Sequence, residues 1–422
     1  MNGWKERIGQ WMEEHREEGV RLLRDMVQMP SKQGDEAPIQ QLTARKLAEI
    51  GLKVDVWEPD GRQLQQHPYF YATRTDFTGS PNVVGVRKGT GGGRSILLNG
   101  HVDVVPEGDR RQWDDDPYSG KVENGRMFGR GVTDMKGGNV SLILALQAID
   151  SLGIRLRGDV IFQSVVEEES GGAGTLAAVL RGYKADVALI PEPTKLHIFP
   201  KQQGSMWFRI SVAGRSAHGG TRYEGVSAIE KSLLIVNHIL ALEKRRNNRI
   251  TDPLYRNTPI PIPINIGVIQ GGNWPSSVAD LVKLEGRMGV APDETMEAAQ
   301  AEMAEWLDRL GQEDPWFALH PPVLEWFGAR WLPGSVDPEH EFMLVLIEQF
   351  GSVTNQSPII KASPWGTDGG TLTHAGGIPA IVFGPGVTEA AHFPNEYIEL
   401  DQVFAAARII TLSVMAWCGV EE

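Results

Sequence analysis

Cysteine is nearly absent from this chain: 422 residues contain a single one, Cys418. An intrachain disulfide and a cysteine-built zinc site are both excluded, so any metal ligand must be histidine or carboxylate. Cys418, near the end of the last helical pattern, reads as a small buried hydrophobe. Also missing is any run of about 18 apolar residues, the length that crosses a bilayer. Residues 1–18 are charged and amphipathic, with no apolar core segment. The expectation is a cytoplasmic protein without a membrane partner. Basic clusters are scarce as well. With 41 Lys and Arg against 54 Asp and Glu, the formal charge is −13, and Lys244-Arg245-Arg246 is the one dense basic stretch, which argues against nucleic acid as a partner. No internal repeat or low-complexity tract occurs. The glycines of 89–93 precede no Lys-Ser/Thr helix start and make a turn rather than a phosphate loop.

What is present is a long chain with two kinds of pattern. At 422 residues two domains are expected, each with a core large enough that metal serves chemistry rather than folding. In the first 200 residues, short apolar runs at 82–86, 95–99, 159–166 and 186–190 alternate with helical periodicity, as at 139–152. Continuous apolar strands between helices predict an α/β domain whose sheet is covered on both faces. From Met206 the order becomes strand 207–212, helix 225–244, strands 262–269 and 280–290, helix 293–310 and strand 323–326. That β-α-β-β-α-β order is the ferredoxin-like split unit. The expected organisation is a catalytic domain in two parts, 1–205 and 327–422, with an α+β domain inserted at 206–326.

Potential ligands gather where the apolar runs end, the position open α/β sheets favour for sites. His101 and Asp103, at i and i+2 after the run 95–99, point to one side of an extended chain. Asp134 lies in the glycine-flanked loop Gly129-Arg130-Gly131-Val132-Thr133-Asp134-Met135-Lys136-Gly137-Gly138, where it alternatively reads as a helix N-cap. Glu167-Glu168-Glu169 follow the run 159–166; three adjacent carboxylates at a buried strand end need a cation, and only an exposed turn would do without one. Glu192 follows the run 186–190, and His392 arrives much later in Ala391-His392-Phe393-Pro394-Asn395-Glu396. Two histidines and several carboxylates suit one or two zinc ions, with a glutamate left to activate water.

These five segments, in this order and with these neighbours, resemble the M20 family of di-zinc peptidases and deacylases, which includes acetylornithine deacetylase, succinyl-diaminopimelate desuccinylase, aminoacylase and glutamate carboxypeptidase. Gly100–Pro106 matches its Gly-His-x-Asp-x-Val-Pro pattern and Gly129–Gly138 its Gly-Arg-Gly-x-x-Asp-Met-Lys-Gly-Gly pattern. The resemblance implies a zinc-peptidase-like α/β domain with an inserted lid and dimerisation domain. It also implies two Zn2+, with Co2+ or Mn2+ as substitutes: His101 and Glu192 on one, Glu169 and His392 on the other, Asp134 bridging. Asp103 would orient His101, and Glu168 would be the general base. The family usually has Asp-Glu-Glu where this chain has Glu167-Glu168-Glu169, so a one-residue slip would exchange base and ligand; Ser170-Gly171-Gly172 favours Glu168 as base. His218, in Gly214-Arg215-Ser216-Ala217-His218-Gly219-Gly220, matches a histidine that reaches across a homodimer to stabilise the oxyanion. Asn265 and Arg287 match substrate-binding positions, Arg287 as a carboxylate clamp, and Gly384-Pro385-Gly386 matches the loop beside that carboxylate, giving Gly384 and Gly386 as binding residues.

The expected reaction is metal-dependent hydrolysis of a linear amide in an N-acyl amino acid or related N-acyl amine. The alternatives are a carboxypeptidase or dipeptidase, an N-formyl aminopyrimidine deformylase, and, last, a non-catalytic metal-binding homologue.

Overall fold

The computed structural model describes residues 2–421. The chain divides into two units, Met1–Lys201 with Gly334–Lys361 and Thr367–Glu422, and Gln202–Pro333 with Ala362–Gly366.

The first unit is built on a six-stranded sheet in the order Lys53–Trp57, Asn82–Arg87, Val160–Val165, Ile96–His101, Val187–Ile190, Ala380–Val382. The last four strands run parallel and the first two pair antiparallel. Val160–Val165, Ile96–His101 and Val187–Ile190 are buried at every position, as continuous apolar strands between two helical layers must be. Their side chains alternate between two cores. Ile96 and Leu98 enter the larger one, which contains helices Gly137–Ser151 and Leu400–Cys418, whereas Leu97 faces a smaller one with Val179 and Leu372. His101 continues the row of Leu97 and Asn99, so strand periodicity aims it to the side of the smaller core. The helix Leu400–Cys418 is long and apolar enough to cross a membrane by composition, but 72% of its apolar window is buried in the protein; it is a core helix.

Local sequence explains the approach of helix Gly137–Ser151 to the His101 strand. Asn139 Nδ2 donates to the His101 carbonyl at 2.6 Å, and a Cβ on Gly100 would lie 2.0 Å from Asn139 Oδ1. Glycine is required at 100 by this crossing. The helix starts at Gly137 rather than 139, behind an irregular turn, Val132–Lys136. A three-stranded antiparallel sheet, Tyr397–Glu399, Arg126–Phe128 and Lys121–Glu123, ties the late segment carrying His392 to the loop carrying Asp134.

The second unit has a four-stranded antiparallel sheet in the order Ile264–Gly271, Leu281–Val290, Gly204–Ala213, Val323–Trp331, with helices Ala228–Asn247 and Met296–Asp308. This is the ferredoxin-like arrangement. Its bounds differ from the expected 206–326. The first strand pairs from Gly204, and the last runs beyond Trp326 to Trp331 through a bulge between Phe327 and Arg330, where Gly328 takes φ 64°. A glycine with Pro333 close behind reads as linker in sequence and ends the expected strand at Trp326. The return of Ala362–Gly366 to this unit has no sequence signal.

Candidate active site

At the end of its strand His101 is 1% exposed. Its Nδ1 lies 2.8 Å from the Asp103 carbonyl oxygen, a contact in which Nδ1–H donates and leaves Nε2 as a ligand atom. The Asp103 carboxylate, expected to orient this ring, is 3.7 Å from Nδ1. It accepts instead from the amides of Glu168 at 3.2 Å and Glu169 at 3.0 Å. The backbone of residue 103 thus sets the imidazole, and its side chain fastens the histidine strand to the glutamate turn.

Asp134 stands between the two histidines, Oδ1 at 3.1 Å from His101 Nε2 and Oδ2 at 3.3 Å from His392 Nε2. His392 Nε2 is also 3.2 Å from Glu169 Oε1, and His101 Nε2 is 3.6 Å from Glu192 Oε1. Ligand atoms of His101, Asp134 and Glu169 all lie within 4.8 Å of one another, as do those of His101, Glu168 and Glu192. The seven residues assigned to metal or acid–base work in the first unit therefore meet in one place.

The electrostatics follow from burial. Glu168, Glu169 and Glu192 are all pushed up, by desolvation first and by neighbouring carboxylates next. Burial opposes charge on Asp134 too, but His101 and His392 hold it well below the usual carboxylate range. Burial likewise opposes a charged His392, yet Glu169 and Asp134 push its imidazole up to about 11. Two imidazoles and four carboxylates converging without a thiolate fit zinc, cobalt or manganese. A dication there would offset the repulsion that drives protons onto the carboxylates.

Two supports were not assigned from sequence. Glu396, 1% exposed, accepts from the amides of Gly131, Thr133 and Asp134 at 3.0, 2.9 and 3.2 Å and from Arg130 Nη1 at 2.6 Å. One carboxylate thereby fixes the loop that aims Asp134. Glu167 takes φ 69°, sending its side chain to Arg74 Nε and Gln33 Nε2. Arg74 also donates to Glu36 at 2.6 Å and to Ser80 Oγ at 3.0 Å. The sequence signal for Glu396 was its place after His392; for Arg74, inside a long connector, there was none. Asp368, also missed, accepts from Thr175 Oγ1 at 2.7 Å, and burial pushes it up to about 7. Preceding a short helix, it reads in sequence as a cap.

Gly384 and Gly386, expected to bind substrate, have spent their N–H groups inside the unit, on Thr194 Oγ1 and Gln402 Oε1, both at 3.0 Å. A Cβ on Gly384 would sit 2.4 Å from Pro191 backbone; these glycines shape the Glu192 loop. The second unit carries the rest. His218 is exposed and caps the turn Gly219–Glu224, Nδ1 accepting from Gly220 N at 3.0 Å. Asn265 and Arg287 face each other across adjacent strands.

The profile of Peptidase family M20/M25/M40 matches residues 97–416. The chain belongs to that family. Like its members it is a hydrolase of amide bonds. Among curated proteins, the N-formyl-4-amino-5-aminomethyl-2-methylpyrimidine deformylase of Bacillus subtilis is 33% identical over 97% of this chain and 96% of its own length. The acetylornithine deacetylase of Edwardsiella ictaluri is 27% identical over 94% and 97%. An M20 family metallo-carboxypeptidase from Sulfolobus solfataricus shares the fold, with TM-score 0.77 at 15% identity over 95% of this chain and 99% of that one.

Proposed function

We propose that this M20 hydrolase removes a formyl group from the amine side chain of an aminopyrimidine or a closely similar heteroaromatic amine, in the cytoplasm, with two divalent cations, zinc first among them. The observation that carries the chemistry is Asp134 held between His101 and His392, with Glu168 beside them. The acyl class is supported by similarity to the Bacillus subtilis deformylase over nearly the whole of both chains. Similarity to acetylornithine deacetylase supports N-acetyl amino acids as the second reading.

His101 and Glu192 would hold one cation, Glu169 and His392 the other, and Asp134 both. When bound, the metal supplies a water of lowered pKa and polarises the amide carbonyl. Glu168, whose burial raises its proton affinity, would accept a proton from an attacking water and return it to the leaving amine. Asp103 holds the amides of Glu168 and Glu169, so the base and one ligand move together. His218 is proposed as an oxyanion donor supplied by a second copy. A homodimer through the second unit is supported by the exposed stripe Ile229, Leu233 and Leu240 on helix Ala228–Asn247. The outermost strand Ile264–Gly271, with Val268 and Ile269 exposed, offers a second support.

The deciding experiment measures hydrolysis of the formylaminopyrimidine, N-acetylornithine, other N-acyl amino acids and free dipeptides, with and without a chelator and metal restoration. Chelator-sensitive deformylation is the expected result. Turnover confined to acetyl compounds would move the assignment to the second reading, and turnover confined to dipeptides would overturn both.

A further inference from the structure

Strands Lys53–Trp57 and Asn82–Arg87 of the first unit pair antiparallel, yet the chain spends residues 58–81 in passing from one to the other. A two-residue turn suffices to join such a pair. The extra length is laid against the turn that carries Glu168. Leu64 and Phe77 of the connector are buried with Ala173, Leu176 and Ala177 of helix Ala173–Leu180, and Phe70 and Ala72 pack against them. The backbone between is in close contact with the turn itself: a Cβ on Gly171, which takes φ 118°, would lie 2.9 Å from the Tyr71 carbonyl oxygen and 3.1 Å from the Ala72 nitrogen.

Arg74 completes the contact from the same connector. Its guanidinium, 5.1 Å over the Phe77 ring, is shared by two carboxylates sealed from water, Glu36 at 0% and Glu167 at 1% exposure. Nη2 donates to Glu36 Oε1 at 2.6 Å, Nε to Glu167 Oε2, and Nη1 to Ser80 Oγ at 3.0 Å. Ser80 Oγ and the Gly34 amide fill the other Glu36 oxygen at 2.7 and 2.8 Å, and Gln33 Nε2 the other Glu167 oxygen. A planar fork is the one side chain that reaches three acceptors in this spread.

What this fixes is the direction of the next residue. Glu167 takes φ 69°, a conformation that a residue with a side chain adopts only when its surroundings hold it there. Both of its carboxylate oxygens are held, so its backbone is too. Beyond it the amides of Glu168 and Glu169 are taken by Asp103. The turn is therefore pinned on both sides of the Glu167–Glu168 peptide. Relaxation of Glu167 to negative φ would rotate that peptide and swing the Glu168 carboxylate off its line to the ligand cluster, and a misplacement of about 1 Å costs on the order of a hundredfold in rate.

We propose that Arg74 is a positioning residue for amide hydrolysis, acting through Glu167 to hold the turn that aims Glu168. This rests on Glu168 as the base and not on which acyl group leaves. Arg74→Met, Arg74→Lys and Glu167→Asp, whose side chain is one methylene too short to keep Arg74 with the turn in place, are compared with the wild type as zinc-loaded protein, each shown folded by circular dichroism. Rates are taken with the formylaminopyrimidine, or with the N-acyl amino acid or dipeptide that the wild type prefers. In Arg74→Met and Glu167→Asp, kcat should fall at least about tenfold with KM within about threefold and zinc content unchanged. Arg74→Lys should recover part of kcat, and the Arg74→Met/Glu167→Asp double variant should lose no more than the worse single one, since both break the same link. In metal-free protein, amide hydrogen exchange should quicken in Arg74→Met across residues 167–172 and not in helix Leu400–Cys418. Wild-type kcat in folded Arg74→Met, or unchanged exchange in the turn, would overturn the proposal; if Arg74→Met does not fold, wild-type kcat in Glu167→Asp overturns it alone. Loss of zinc in place of kcat would show that the turn is held for Glu169 and overturn it as well. Wild-type turnover by Glu168→Gln is a separate failure, removing the base itself.

Discussion

Glu168 is the residue on which chemistry and charge distribution meet. Replacing it with Gln keeps the shape of the turn and removes the proton acceptor, so kcat should fall about 100- to 10,000-fold. Metal content, measured by mass spectrometry, should be unchanged; loss of metal would instead make Glu168 a ligand, the alternative left open by three consecutive glutamates. His392 sets a second expectation. Its proton, held up to about 11 by Glu169 and Asp134, has to leave before a cation is bound. Zinc affinity should therefore climb with pH, and binding should release protons into a weak buffer. Asp368 supplies a third. Its carboxyl, pushed up to about 7 by burial against an ordinary 3.8, favours the folded state most below 3.8, and that contribution is lost as pH rises through 7. In metal-free protein, Asp368→Asn should gain on the wild type in denaturant unfolding between pH 5 and pH 8, on the order of 2–3 kcal/mol. At this scale the sequence disclosed which histidines and carboxylates converge, because His101, Glu169 and Glu192 each follow the end of an apolar run. It hid Arg74 and Asp368, whose importance lies in partners that arrive from distant segments.

Elements matter here chiefly as carriers of turns. The turn after strand Val160–Val165 bends because Glu167 lies in the left-handed region, and it is tied down by Asp103 from one side and Arg74 from the other. Arg74→Ala leaves the buried Glu36 and Glu167 without their cation, a loss of about 3–5 kcal/mol, to be read from denaturant midpoints. Arg74→Lys should return only part of it, since one ammonium cannot span Glu36, Glu167 and Ser80 in the manner of a planar fork. Apolar runs exposed four strands of the six-stranded sheet but not Lys53–Trp57 or Ala380–Val382, and the order of the later elements exposed the ferredoxin-like insert. The ends of elements were less legible: Gly328 looks like the close of a strand until the indole of Trp207 is seen to occupy the space a side chain would fill.

For the whole molecule the expectation to test is assembly. Leu233→Glu places a charge in the exposed apolar stripe of helix Ala228–Asn247. It should convert a dimer to a monomer in sedimentation, with an unchanged fold. A wild type that already sediments as a monomer would remove both the dimer and the role of His218 in trans. The two-unit plan was visible because a change in strand and helix rhythm near residue 206 is a change in architecture; the brief excursion of Ala362–Gly366 was not, since five residues carry no rhythm. Chain order adds a final point. His101, Asp134, Glu169 and Glu192 all precede the insert, whereas His392 and the clamp Glu396 follow it. As the polypeptide leaves the ribosome, four of the proposed ligands wait through the synthesis of an entire second unit before the remaining histidine exists. On the proposed assignment, a chain released before His392 and Glu396 are made lacks one of the two histidines and the carboxylate that fixes the Asp134 loop.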